Sequence, residues 1–188
     1  EKATSNICTS QALMAILSGM YAVHHGAEGI KEIAWKVYLN ANLLAEALES
    51  AGYQVRHRNI FDTICLDQVK ADEIRKKAEQ AGVNFHYPAA DQVKFSLDEL
   101  CTEADMRTIA DIFGMEKLPL ENMDLKQTVN PETSGALPFR CSSFMEQEVF
   151  KNYQSETELM RYIKTLEKRD ISLTHSMIPL GSCTMKLN

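Results

Sequence analysis

Between Thr9 and His24 the apolar residues Ala12, Leu13, Ile16, Leu17, Met20 and Val23 recur at helical spacing, which predicts a first helix starting after a Thr or Ser cap. Ser18 and Gly19 are small enough to let a second helix come close. Gly26 breaks the pattern. Ile30, Ile33, Val37, Ala41, Leu44 and Leu48 then repeat every three or four residues up to Gly52, which stands where a C-terminal glycine cap belongs. This second stretch predicts a helix of about six turns at 3.6 residues per turn. Met14, Met20 and the Leu/Ile stripe are expected in the core.

After Gly52 the pattern changes to short runs rich in aromatic and β-branched residues, Tyr53 to Arg58 and Ile60 to Leu66, which predict strands. Val69 to Ala81 reads as a charged amphipathic helix stopped by Gly82, and Val83 to Tyr87 and Gln92 to Leu97 as strands separated by Pro88. Thr102, followed by Glu103 and Asp105, caps another helix that ends near Gly114. The resulting order of helix, helix, strands, helix, strands, helix predicts an α+β unit, with a small, mostly antiparallel sheet covered by helices. Pro119, Pro131, Gly135 and Pro138 interrupt a stretch of little periodicity that reads as a linker or wrapping arm. A last amphipathic helix is expected from Ser155 to Arg169, with capping-box spacing from Ser155 to Glu158 and a buried stripe of Leu159, Ile163 and Leu166. The tail from Ile171 is apolar and nearly uncharged. These boundaries divide the chain into an α+β subdomain (1–114), an arm (115–154) and a terminal helix with the segment after it (155–188).

Composition narrows the function classes. The 188 residues are 45% hydrophobic and 24% charged, with a formal net charge of −6, so the chain has core formers enough to fold and no basic surface suited to general nucleic-acid binding. No apolar run reaches the roughly 18 residues of a membrane span, and no cationic segment with an apolar h-region opens the chain. The five cysteines lie far apart without a Cys-x-x-Cys pair, as suits a reducing compartment. Glu1 is not an initiator methionine, and Asn188 follows a Gly-Ser-Cys-Thr run without a trailing tail, which predicts a piece of a larger protein.

His24 and His25 are neighbours on a helix and point about 100° apart; they read as a helix C-terminus favoured by the dipole, and no metal is expected. A Gly-x-Ser-x-Gly elbow, a Gly-x-x-x-x-Gly-Lys-Ser/Thr loop and a Gly-x-Gly-x-x-Gly turn are all missing, which sets aside the hydrolase elbow and the standard nucleotide loops. Small polar donors are densest at Gly181-Ser182-Cys183-Thr184, flanked by Pro179 and Lys186. Close backbone approach, hydroxyls and a lysine make a phosphate or carboxylate subsite physically reasonable there, and an ordered turn is the plain alternative.

Ser176 to Asn188 (SMIPLGSCTMKLN), together with Tyr153 to Tyr162 (YQSETELMRY) and Glu1 to Thr9 (EKATSNICT), closely resembles glycine decarboxylase, the P-protein family of the glycine cleavage system. Phe61-Asp62-Thr63 looks like the family in the middle of the chain, and Arg140 with Ser142 and Ser143 resembles its Arg-x-Ser element, expected as a contact of the arm. The resemblance implies a fold-type I, pyridoxal phosphate-dependent enzyme of two related halves, of which only the second keeps the Schiff-base lysine. Residues 1–114 would then be the C-terminal small subdomain of the non-catalytic half, and 155–188 the opening of the catalytic half. The family's lysine follows a histidine, and no His-Lys pair occurs here, so no catalytic residue is expected in this chain and the chain alone should be inactive.

Implied partners are the rest of the parent enzyme, glycine, the lipoylated H-protein that receives the aminomethyl group, and a second protomer; nucleic acid and membrane are not. Ser182, Thr184 and Lys186 are the implied contacts for an anion at the active-site mouth, with Cys183 a pocket neighbour. Asn6 and Thr9 read as helix caps. The implied compartment is the cytoplasm of a bacterium or the mitochondrial matrix of a eukaryote. Two other readings are a scaffold that docks the two halves or the dimer partner and contributes no site residue, and an independent small binding module.

Overall fold

The computed structural model describes residues 10–115, 140 and 142–169. They fall into two compact units, Glu32–Cys141 and Glu1–Lys31 with Ser142–Asn188. Helix α1 (Ser10–Ser50) contributes to both and departs from helical geometry at Gly26, where φ is 62° and ψ is −176°. The break foreseen at Gly26 is therefore real, but no loop separates the two helical stretches.

In the unit Glu32–Cys141, α1 ends in a Schellman motif. Tyr53 N donates to Leu48 O (3.0 Å) and Gly52 N to Glu49 O (2.9 Å), with Gly52 at φ 90°, so two carbonyls left open by the last turn are satisfied. The same pair of bonds closes α2 (Ala71–Gln80) and α3 (Glu103–Ile112). Three strands, β1 (Gln54–Val55), β2 (Thr63–Asp67) and β3 (Val93–Ser96), form an antiparallel sheet in sequence order, with Val55 opposite Leu66, Leu66 opposite Val93 and Thr63 opposite Ser96.

Alternation along β3 is strict, with Val93 and Phe95 buried while Lys94 and Ser96 are exposed, so one face of the sheet meets the helices and the other stays polar. Leu44 and Leu48 of α1 join Ile64, Leu66 and Val93 at the centre of the core, with Ile74 and Ala78 of α2 and Met106 and Ile109 of α3 around them. The rings of Phe85, Phe95 and Phe113 pack together with centroids 4.9 to 5.9 Å apart. The fold class is α+β, as the order of elements predicts.

Two expected strands are much reduced. Val83 to Tyr87 pairs only through a bridge between His86 and Lys94, because Pro88 has no N–H to extend the ladder and opens the turn into β3. The run from Tyr53 to Arg58 holds only two strand residues. Ile60 is not in a strand either: it is buried between two bends, where its carbonyl accepts from Asn42 Nδ2 of α1 (3.5 Å).

The other unit holds the first part of α1, a short helix α4 (Val149–Asn152) inside the expected arm, and α5 (Glu156–Glu167). Ser155 caps α5 by accepting from Glu158 N (3.3 Å), and its hydroxyl donates to the Glu158 carboxylate (2.8 Å). Tyr153 stacks on Tyr162 at 4.1 Å. Two expectations fail here. Leu159 and Leu166 are only half-buried and Ile163 is exposed, while Leu13, Met14, Ile16 and Leu17 are each more than half exposed. Met20 is half-buried. Periodicity marks these faces as apolar, but the few helical turns described in this unit cannot cover both of them. The segment 116–139 of the expected arm and the tail 170–188 lie outside the described residues.

Candidate functional site

Ser182, Cys183, Thr184 and Lys186 lie outside the described residues, as do Asn6 and Thr9, so none of the anion-site candidates drawn from the sequence is positioned. His24 and His25 occupy the last turn before the Gly26 break, with their rings edge to face at 5.0 Å and His25 4.3 Å from the Tyr21 ring. Among the described residues no group of three or more His, Cys, Asp or Glu side chains is arranged to hold a metal ion.

The polar face of the sheet carries the features of a site. Arg56 N donates to Cys65 O (2.9 Å), which adds one rung beyond β1. Cys65 is opposite Lys94, and Lys94 is opposite His86. Residues directly opposite in antiparallel pairing share a face, so Arg56, Cys65, Lys94 and His86 form one row across the sheet. Thr63 and Ser96 form the next row, their hydroxyls 2.7 Å apart. A groove of about 480 Å³ runs over the first row and Thr63, walled by His57, Phe61 and Pro88. Phe61 is 45% exposed.

Electrostatics in the groove are partly settled internally. Arg56 grips Asp67 through two nitrogens, Nε to Oδ2 (2.9 Å) and Nη2 to Oδ1. That hydrogen-bonded pairing holds the Asp67 carboxyl below the usual carboxylate range and raises Arg56. Asp62 Oδ1 accepts from Thr63 Oγ1 (2.9 Å). Sequence reasoning missed this row, because only strand register reveals that residues 56, 65, 86 and 94 are neighbours. Their one visible signal was alternation, with Lys94 and Ser96 between Val93 and Phe95.

An α+β unit with a helix-covered antiparallel sheet defines the class of fold. A sequence model of the glycine cleavage system P-protein matches residues 1–113, and the chain belongs to that family. Glycine dehydrogenase (decarboxylating) of Flavobacterium johnsoniae is 48% identical over all of this chain and 20% of its own length. The proteins of the same name from Stenotrophomonas maltophilia K279a and Aliivibrio fischeri MJ11 are 46% and 42% identical, again over the whole chain and over 19% and 20% of their own lengths. The chain thus spans about a fifth of the length of these relatives.

Proposed function

We propose that these residues are a segment of a glycine dehydrogenase (decarboxylating), the component of the glycine cleavage system that decarboxylates glycine and passes the aminomethyl group to the lipoyl arm of the H-protein. The observation that carries this reading is 48% identity to an enzyme of that name across the entire chain. In the same reading residues 1–114 are the small subdomain of a non-catalytic half of a fold-type I transferase, 115–154 an arm, and 155–188 the opening of the catalytic half. A dimer of the parent enzyme and a cytoplasmic or matrix location belong to it as well. No helix among the described residues is long and apolar enough to cross a membrane.

The lysine that attaches pyridoxal phosphate, the implied cofactor, lies outside this chain in the same reading. A Schiff-base lysine is activated by desolvation or by a neighbouring cation, whereas every lysine among the described residues is exposed and no His-Lys pair occurs in the sequence. No chemical step is therefore assigned to this chain. Its proposed contribution to the site is anion contact by Ser182, Thr184 and Lys186, with Cys183 beside them.

The full-length protein tests this directly. Given glycine, lipoylated H-protein and pyridoxal phosphate it should release carbon dioxide, and borohydride reduction followed by peptide mapping should find the modified lysine outside these 188 residues. Stoichiometric labelling of a lysine within them, or no carbon dioxide release, overturns the assignment. Lys186→Met should raise the glycine requirement or depress turnover, and unchanged kinetics remove Lys186 from the site. A second reading, a docking scaffold without site residues, is favoured by the exposed apolar side chains of Leu13, Met14, Ile16 and Leu17. It predicts that substitutions in Gly181 to Lys186 alter assembly and leave the chemistry of assembled enzyme intact.

A further inference from the structure

The groove on the polar face of the sheet has more hydrogen-bond donors than its own acceptors can use. Both oxygens of Asp67 are taken by Arg56, and Asp62 Oδ1 is taken by Thr63. Against these, Lys94 Nζ and the rings of His57 and His86 make no hydrogen bond among the described residues, and Arg56 keeps its Nη1 donors beyond the two nitrogens given to Asp67. Lys94 and His86 stand opposite each other in the bridge, so their side chains leave the sheet side by side. The volume, about 480 Å³, lies within the range of about 300–1,000 Å³ usual for small-molecule sites. Phe61 and Pro88 supply an apolar wall beside the donors. Four cationic or imidazole side chains against the one remaining oxygen of Asp62 leave donors in excess, and such a groove selects an acceptor-rich ligand.

We propose that the groove formed by Arg56, His57, His86 and Lys94 binds the oxyanion of a small organic molecule, a phosphate or a carboxylate. Lys94 supplies the fixed positive charge, the two imidazoles donate to further oxygens, and Phe61 covers the apolar part of the ligand. In a chain of net charge −6, this local surplus of donors works against the general repulsion of anions.

The test uses the full-length protein with its pyridoxal phosphate site filled, so that added inorganic phosphate does not report on the cofactor pocket. Phosphate binding is followed by ³¹P line broadening, and acetate is added as a competitor. Saturable broadening is expected, with the midpoint raised about two- to fivefold by Lys94→Met, the range of one solvent-exposed ion pair. His86→Gln should weaken it in the same direction, and Lys76→Met, on the exposed side of α2, should not. Displacement by acetate points to a carboxylate ligand, and resistance to acetate points to a phosphate. Absence of saturation in the unsubstituted protein overturns the proposal. So do Lys94→Met and His86→Gln proteins with native thermal midpoints that titrate as the unsubstituted protein does. The readout is binding, so it stands or falls independently of decarboxylase activity.

Discussion

Substituting Gly26 by alanine tests the break in α1 at its physical cause. At φ 62° and ψ −176° the backbone lies in a region essentially reserved for glycine, and holding an L residue there costs about 1–3 kcal/mol. Space adds to the strain. An ideal Cβ would stand 2.7 Å from Phe150 O and closer still to Gln154 Nε2. The Gln154 amide can swing aside, but it then gives up its 3.1 Å bond to Phe150 O, at about 0.5–1.5 kcal/mol. The carbonyl is main chain at the start of α4 and moves only with that helix. Together these effects should destabilise the packing of α1 on the α4 segment by roughly 2–4 kcal/mol. Gly52→Ala is the internal comparison, because φ there is 90° but nothing lies within 4 Å of the added Cβ, which leaves the backbone strain alone. Hydrogen exchange read by mass spectrometry on the full-length proteins should show faster exchange in 10–31 and 142–169 for Gly26→Ala, with 32–115 unaffected. Equal protection in the Gly26→Ala and unsubstituted proteins refutes the assignment of the kink to steric necessity.

Leu44 is fully buried and Leu13 is 55% exposed, so in the 188-residue chain Leu44→Ala should cost about 2–5 kcal/mol in urea unfolding and Leu13→Ala within about 0.5 kcal/mol of nothing. A large Leu13 effect confined to the full-length protein would favour the docking scaffold. The carboxyl of Asp105 is held below its usual range by hydrogen bonds from the Thr102 hydroxyl and backbone N–H. A depressed folded-state value means that the cap contributes fully above the unfolded value of about 3.9 and fades as pH falls through the lower folded value. The thermal midpoint should therefore drop less steeply with acid in Asp105→Asn than in the unsubstituted chain; identical slopes would remove Asp105 from the acid response.

Helix boundaries were the most legible part of the fold, because each is written in local chemistry. Gly52, Gly82 and Gly114 stop helices where the periodicity predicts, and the Thr102 to Asp105 and Ser155 to Glu158 spacings mark true starts. Strands were less legible: Val83 to Tyr87 has the residues of a strand and became a single bridge, since pairing depends on a distant partner's register and on Pro88. The sequence-derived anion candidates came from a local density of small polar donors and from the family resemblance rather than from periodicity, and they lie outside the described residues. The groove, by contrast, could not be read in the chain at all, because its four principal side chains, Arg56, His57, His86 and Lys94, come from three separate segments.

By itself the amino-acid sequence determined the α+β class, the caps, the break at Gly26 and, through motifs at both ends, the family. These depend on interactions within a few residues, or on wording that similarity preserves whole. Only the tertiary structure decided which apolar faces are covered and which polar residues meet. The helical stripe of Leu44 and Leu48 is buried and that of Leu13 and Leu17 is not, although both have the same period. Periodicity fixes the direction in which a side chain points, but burial depends on whether a second surface lies across from it, and that surface is supplied by residues far away in sequence.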